Sequence, residues 1–255
     1  MTPPHTPDGW FVTDCAAAAT LGPGPCILAP VTAALDPHLA IMACALPVGD
    51  INGALETALR SEQPPEWAVA GVLAHDPFLR HQDLFATLRR GGVITLTNWP
   101  SVCPLNGELA GALEHSGFTY QRELELLEEG QNQGFGACVV VHTEAQLDEA
   151  LTLAPDHIMV TPGLGTPERE ERRHRARQTL ELAGRAQEEG SAAVGCIITR
   201  GSRTCWTSSF RRASAASGTG QADSPQSEVC SLRRASAHMG GPGASGERQR
   251  GHSRS

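Results

Sequence analysis

The sequence predicts an α/β fold: a (β/α)8 barrel of the TIM type, incomplete at its C-terminal end and followed by a disordered tail. Short apolar runs rich in Val and Ile alternate with amphipathic segments, which is typical of parallel strands linked by helices. The chain has 255 residues, 40% of them hydrophobic, which is enough for one large core. Beyond residue 199 the alternation stops.

The apolar runs and the segments between them give the predicted elements. The candidate strands are 26–29, 38–44, 67–73, 93–97, 137–141, 157–160 and 192–199. The candidate helices are 51–61, 82–90, 120–130, 144–153 and 168–190. The predicted organisation is a lead-in over 1–25, an incomplete barrel over 26–199 and a tail over 200–255. An open doubly wound sheet is the alternative, but no Gly-x-Gly-x-x-Gly follows a strand, so we expect no nucleotide cofactor.

Charge separates the body of the chain from the tail. Residues 1–199 carry 11 Arg and 25 acidic residues, a net charge of −14, whereas residues 200–255 carry 9 Arg and 3 acidic residues, a net charge of +6. An acidic body argues against nucleic acid as a partner. The chain contains no Lys, which excludes Schiff-base catalysis and a phosphate-loop lysine.

The tail has two interpretations. Ser, Arg, Ala and Gly dominate it, and Arg-Arg-Ala-Ser begins at both Arg211 and Arg233, as in a disordered basic segment. Alternatively, it is translated out of frame, because bases starting at the third position of the Cys196 codon can encode a histidine cluster and an amphipathic helix. The chain would then be a truncated or frameshifted barrel. Reading the gene in the neighbouring frames distinguishes the two.

The cysteines and the N-terminus bear on location. The eight cysteines show neither a C-x-x-C motif nor zinc-ligand spacing, so we expect reduced, buried thiols. The chain does not start with a basic segment followed by an apolar stretch, and it has no apolar run of the length of a membrane span. We therefore expect a cytoplasmic protein without a membrane partner.

Polar residues follow several predicted strands, where a barrel places its active-site loops. His75 and Asp76 follow the strand 67–73, and Asp76 is either catalytic or a helix N-cap. Asp50 and Asn52 lie between a strand and a helix, so capping is again the alternative. His142 follows the strand 137–141 and either meets substrate or leads the next helix together with Thr143.

The segment after the strand 93–97 has the composition of a stiff ligand-binding loop. It contains two prolines, a tryptophan, and the residues Asn98, Ser101 and Asn106. Asn98 is positioned to orient a carbonyl or carboxylate group, whereas Asn106-Gly107 taken alone is only a turn. Glu114 and Glu123 are of a kind most often solvated on a helix.

The succession of these motifs resembles the phosphoenolpyruvate hydrolase-like TIM-barrel family. Family patterns occur in order as G-V-x-x-x-D-P-F at 71–78, N-F-P-T-V to D-G at 98–107, and L-E-E-T-G-M-G-Y then E-V-E-M-I at 113–127. Residues 46–52 resemble its L-P-Y-G-D-A-N, and residues 157–166 resemble its V-A-H-M-G-L-T. The resemblance covers residues 26–195 and implies a TIM barrel related to phosphoenolpyruvate chemistry.

The departures from the family pattern cluster in the loops. Ser101 with Cys103-Pro104 replaces a threonine–glycine pair, Asn106 replaces an aspartate, His115 a glutamate and Thr161 a histidine. Asn106 removes a charge able to hold Mg²⁺ or a proton. A divergent substrate or weakened catalysis is therefore expected.

The resulting hypothesis is an enzyme that acts on a small carboxylated or phosphorylated metabolite by hydrolase, lyase or mutase chemistry. Asp76 and Asp50 hold Mg²⁺ or another divalent cation, or act as acid and base, and His142 is a third catalytic candidate. The substrate-binding candidates are Asn52, Asn98, Ser101, Asn106, Glu114, Tyr120, Thr161 and Gly163. The rival is a barrel that binds a ligand or a protein without turnover. We expect a small-molecule ligand and leave a homo-oligomer open.

Overall fold

The computed structural model describes residues 8–20, 26–164, 168–189, 192–200 and 203–207, and it shows a strongly curled sheet surrounded by helices. The strands are β1 (Asp8–Val12), β2 (Cys26–Leu28), β3 (Ala68–Val72), β4 (Thr95–Asn98), β5 (Gly136–Val141), β6 (His157–Val160), β7 (Ala193–Arg200) and β8 (Arg203–Thr207). The first seven lie side by side in chain order and run parallel. The β8 strand pairs antiparallel with both β7 and β1 and closes the ring.

The α/β architecture with seven parallel strands confirms the coarse prediction of a partial TIM barrel. The barrel was predicted to be incomplete at its C-terminal end, whereas the structure closes the ring with a hairpin strand in place of a further parallel β/α unit. Arg200 and residues 203–207, which the sequence assigned to a disordered tail, belong to strands β7 and β8. Likewise, the predicted lead-in contains β1, which pairs with β2. Residues 208–255 lie outside the described residues.

Eight α-helices are described, together with two short 3-10 helices. The α-helices are α1 (Cys15–Thr20), α2 (Pro37–Met42), α3 (Ile51–Ser61), α4 (His81–Arg90), α5 (Gly107–His115), α6 (Tyr120–Asn132), α7 (Glu144–Leu151) and α8 (Arg169–Glu189). The 3-10 helices are Thr32–Ala34 and Ala43–Ala45. Among the described residues, none of the helices combines the length and the apolar character needed to cross a bilayer.

The predicted strand 38–44 is wrong. This segment forms α2 and the 3-10 helix after it, and its buried residues Ala40, Ala43 and Cys44 follow helical spacing. Pro37 starts the helix, where its missing N–H costs nothing. The α5 helix was not predicted, because its sequence reads as a loop after Asn106-Gly107; in the structure α5 has no buried residue.

Two apolar clusters form the core of the barrel, and successive side chains along a strand belong alternately to one cluster and the other. In β5, Val139 and Val141 face the helices, while Cys138 and Val140 face the barrel interior. Ile27, Val69, Met159 and Ile197 join Val140 in the interior. Of the cysteines whose side chains are described, Cys15, Cys26, Cys44, Cys103, Cys138 and Cys196 are all buried free thiols, as predicted.

Candidate active site

Asn52 and Asp76 meet at the carboxyl end of β3. Asn52, in the first turn of α3, forms hydrogen bonds to both backbone groups of Leu73: Nδ2 donates to the carbonyl at 3.0 Å, and Oδ1 accepts from the N–H at 3.0 Å. The same Nδ2 donates to Asp76 Oδ2 at 3.0 Å. Asn52 is buried and Asp76 is half-buried. Asn52 therefore fixes both the loop after β3 and the carboxylate of Asp76.

Asp76 does not cap α4, because Arg80 occupies the N-cap position. Its Oδ1 accepts from the Phe78 N–H at 2.9 Å, which is an Asx-type turn just after the strand. The predicted capping role belongs instead to Asp50, whose exposed carboxylate accepts from the Gly53 N–H at 2.7 Å.

The divalent cation was predicted to lie between Asp50 and Asp76. In the described part of the chain, no three His, Cys, Asp or Glu side chains are grouped in a way that could hold a metal ion. The two carboxylates have separate partners, Gly53 for Asp50 and Asn52 with Phe78 for Asp76. A cation held by one or both carboxylates together with water or substrate oxygens stays a prediction, and no step below uses one.

A buried polar network lies between the ends of β4 and β5 and the helix α6. Asn98 is fully buried: its Oδ1 accepts from the Val140 N–H at 2.8 Å, and its Nδ2 donates to Glu123 at 2.7 Å. Ser101 donates to the same Glu123 oxygen at 2.6 Å, and the Val102 N–H donates to the other oxygen at 2.8 Å. Asn98 thus bonds to protein groups and holds the loop after β4 through Ser101 and Glu123.

Glu123 is fully buried, which corrects the expectation that it is a solvated helix residue. Burial raises its pKa to about 7, although the hydrogen bonds from Ser101, Val102 and Asn98 lower it. Glu123 is buried because of its place on α6: it lies one turn before Leu127, on the face that also buries Leu124 and Leu126. Helical spacing of the buried leucines is therefore a signal in the sequence that identifies it.

His75 faces Glu123 in the same buried layer. Its Nδ1 lies 3.6 Å from Glu123 Oε1, and both side chains are fully buried. Its Nε2 lies 2.9 Å from the Thr119 carbonyl, and the Phe118 ring stacks on it with centroids 5.0 Å apart. Burial is the main cause that lowers the pKa of His75, so the neutral imidazole is favoured.

His142, Thr161 and Gly163 come together at the ends of β5 and β6. His142 is half-buried, and its Nδ1 lies 2.9 Å from the Thr161 carbonyl. Gly163, with φ of +80°, approaches the imidazole so closely that a Cβ would lie 2.6 Å from its Cε1. Thr161 is buried, and its hydroxyl accepts from the Gly163 N–H at 3.3 Å.

His142 does not lead the next helix. Thr143 caps α7 by accepting from the Gln146 N–H, and the Gln146 side chain accepts from the backbone of Thr143 and His142. This reciprocal arrangement is a capping box. It leaves the imidazole of His142 free of any helix role.

The sequence profile of the phosphoenolpyruvate hydrolase-like family matches residues 39–196, more than half of the chain. The chain belongs to this family. It is also 36% identical over 109 residues to an uncharacterized protein, y4oT, of Sinorhizobium fredii (strain NBRC 101917 / NGR234). The match covers 42% of this chain, and the chain spans about half (56%) of the length of that relative.

Apolar groups occupy the barrel interior in this family member. Trp99 is buried there, with its Nε1 donating to Thr32 Oγ1 at 3.0 Å and its ring 4.6 Å from that of Phe11. The peptide bond from Trp99 to Pro100 is cis. The Tyr120 hydroxyl donates to the Val140 carbonyl at 2.9 Å, and burial raises its pKa well above the ordinary value. Tyr120 is thus held by the protein.

Two predicted binding residues stand apart from these groups. Asn106 occupies the N-cap position of α5 without a side-chain capping bond, and Glu114 lies on the same helix. Both are exposed. Their participation in binding stays a prediction. From the sequence alone, Glu123 is expected to be a solvated helix residue and Gln146 is not considered, so both are missed.

Proposed function

We propose that this member of the phosphoenolpyruvate hydrolase-like family is a barrel enzyme for a small carboxylated or phosphorylated metabolite. Its chemistry is of hydrolase, lyase or mutase type at a carbon–oxygen or carbon–carbon bond. The observation that carries the proposal is the orientation of His142 at the carboxyl end of β5, where barrel enzymes place catalytic groups. The family supplies the substrate class.

His142 is proposed as the general base. A carbonyl oxygen only accepts hydrogen bonds, so the 2.9 Å contact with the Thr161 carbonyl places the proton on Nδ1. Nε2 then carries the lone pair, and the described residues donate no hydrogen bond to it. A half-exposed imidazole that donates from Nδ1 to a carbonyl, and whose neutral form carries its lone pair on Nε2, is suited to accept a proton from substrate.

The other polar groups near the carboxyl ends of the strands are proposed to bind and orient the substrate. Asp76, fixed by Asn52, is the candidate acid or orienting carboxylate at the end of β3. Thr161 and the backbone around Gly163 are the candidate partners of a substrate oxyanion: the Gly163 N–H donates to the Thr161 hydroxyl, whose own proton is available for a developing negative charge. Asn98 and Ser101 contribute by holding the loop after β4.

The test is turnover of a panel of small carboxylates and phosphate esters, including phosphoenolpyruvate, by wild type and His142→Asn. We expect kcat to fall by at least about 100-fold in the variant, the scale of general-base catalysis, while circular dichroism stays unchanged. His174→Asn, at an exposed position of α8, is the matched control and should retain full turnover. Equal turnover in His142→Asn and wild type would rule out His142 as the base.

The second candidate function is a ligand-binding barrel without turnover. Two observations favour it: the interior is occupied by Trp99, and the Asn98 amide is bonded entirely to protein groups. In that case a metabolite from the panel raises the melting temperature of both wild type and His142→Asn, and no product forms. Product formation by wild type excludes this alternative.

A further inference from the structure

We infer that Glu123 is a positioning residue for His142, and that it forms a buried pair with His75 that holds a single proton. The inference rests on the proposed role of His142. Glu123 touches neither His142 nor the open side of its imidazole. It acts through the loop after β4 and through Gln146, in a chain of hydrogen bonds that crosses from α6 to α7.

The first part of this chain fixes the loop. One Glu123 oxygen accepts from the Val102 N–H at 2.8 Å, and the other accepts from Ser101 at 2.6 Å. The Ser101 hydroxyl in turn accepts from the Cys103 N–H at 3.0 Å. A single carboxyl group thereby orients three consecutive residues of the loop.

The second part joins the loop to His142. The Cys103 carbonyl accepts from Gln146 Nε2 at 3.0 Å. Gln146 Oε1 accepts from the His142 N–H at 2.9 Å and from the Thr143 N–H at 3.1 Å. A displacement of the loop should therefore move the side-chain amide of Gln146, which binds the backbone N–H of His142.

The geometry of His75 indicates that the buried pair of His75 and Glu123 holds one proton. The 2.9 Å contact of Nε2 with the Thr119 carbonyl requires a proton on Nε2, so the neutral ring presents a lone pair at Nδ1. That lone pair faces Glu123 Oε1 at 3.6 Å, and Nδ1 has no hydrogen-bond partner among the described residues. Two buried acceptors that face each other repel unless one of them is protonated. Burial raises the pKa of Glu123 and lowers that of His75, which places this proton on the carboxyl group.

Other titratable groups surround the pair. Cys44 and Cys103 lie near Glu123, and burial raises the pKa of both thiols, so they stay neutral across the relevant range. Tyr120 stays neutral for the same reason. Arg122 acts on His75, whose pKa its charge lowers. Glu123 is therefore the group of this cluster that changes charge near neutral pH, and its ionised form binds the loop donors more tightly.

The test is nuclear magnetic resonance of the ring nitrogens in the full chain labelled with ¹⁵N-histidine, from about pH 5 to about pH 9. Signals of His75 and His142 are assigned from His75→Gln and His142→Asn. In wild type we expect the His75 signals to show a step near pH 7 that reports the Glu123 proton. Glu123→Gln should remove that step and shift the His142 signals, whereas Glu128→Gln, at an exposed position of α6, should change neither.

Two further variants keep the inference testable if Glu123→Gln fails to fold. Ser101→Ala removes a hydrogen bond that lowers the Glu123 pKa, so the His75 step should move up by roughly one pH unit. Gln146→Ala should shift the His142 signals and leave the His75 step in place. A His75 step unaffected by Ser101→Ala, or His142 signals unaffected by Gln146→Ala, would overturn the inference. None of these readouts depends on turnover, so the proposed function fails or holds separately.

Discussion

The polar groups at the carboxyl ends of the strands form two regions with opposite character. In the buried network, defined as His75, Asn98, Ser101 and Glu123, every side chain is enclosed and bonds mainly to other protein groups. In the rim, defined as Asp76, His142, Thr161 and Gly163, the side chains of Asp76 and His142 are half-exposed. Among the described residues, none forms a hydrogen bond with His142 Nε2, whereas Nδ1 is bonded to the Thr161 carbonyl.

The difference teaches which residues can act on a ligand. A group whose hydrogen bonds are all made within the protein has no capacity left for substrate, but it can hold a loop in one arrangement. A rim group fixed by one bond and open on its other side is oriented and still reactive. We therefore expect the rim groups to act on the ligand and the buried network to hold those groups in position.

The largest effect on the free energy of unfolding is expected when Glu123, the central acceptor of the buried network, is removed. Glu123→Ala leaves the donors of Asn98, Ser101 and Val102 buried without their acceptor, so the free energy of unfolding should fall by about 3 kcal/mol or more. Urea denaturation measures it. Glu128→Ala, on the exposed face of the same helix, should stay within about 0.5 kcal/mol of wild type. Equal effects of the two substitutions would remove the distinction between network and surface.

A smaller loss of stability with a larger local effect is expected at the rim. Gly163→Ala places a Cβ against the His142 ring and strains a residue at φ of +80°, which should cost about 1–2 kcal/mol and displace the imidazole. Thermal unfolding and the His142 ring signals measure the two effects. Gly184→Ala, in α8 with open space around the Cβ, should instead stabilise by about 0.5–1 kcal/mol. Unmoved His142 signals in Gly163→Ala would mean that the rim adapts.

The smallest effect concerns the pH dependence of the network. The native state keeps the Glu123 proton up to about pH 7, whereas the unfolded chain releases it near the ordinary pKa of 4.5. Between these values the native state binds more protons, so the contribution of Glu123 to stability falls as the pH rises.

Relative to Glu123→Gln, wild type should therefore lose about 1 kcal/mol between pH 6 and pH 7, since one proton gives at most about 1.4 kcal/mol per pH unit. Urea unfolding of both proteins at several pH values gives this difference directly. Glu125→Gln, at an exposed position of α6, should show no such trend against wild type. A difference that is constant or rises with pH would contradict the raised pKa of Glu123.

The sequence predicts the alternation of strands and helices well, because the parallel strands are continuous apolar runs. It fails at 38–44, where a short apolar run fits a strand or a helix equally and burial at Ala40, Ala43 and Cys44 reveals the helix. Strands β1 and β8 are also missed. Each has only five residues, and the two pair with each other although they are distant in the chain.

The site is predicted in its parts and not in its connections. Asn52, Asp76, Asn98 and His142 are found because each stands near the start of a helix or the end of a strand. Their partners come from elsewhere: Asn98 joins Glu123 of α6, and His142 joins the Thr161 carbonyl after β6. Such pairs depend on the register of neighbouring strands and on helix orientation, which a linear pattern does not contain.

Tyr120 is placed to report on both the buried network and the rim. It is the single tyrosine of the chain, it contacts both apolar clusters, and its hydroxyl is bonded to the backbone of β5, the strand just before His142. Replacing tyrosine by 3-fluorotyrosine during expression therefore introduces one fluorine label. The label lies three residues from Glu123, at the junction of barrel interior and helix layer. A single fluorine resonance can thus report the state of the network without any change in the sequence.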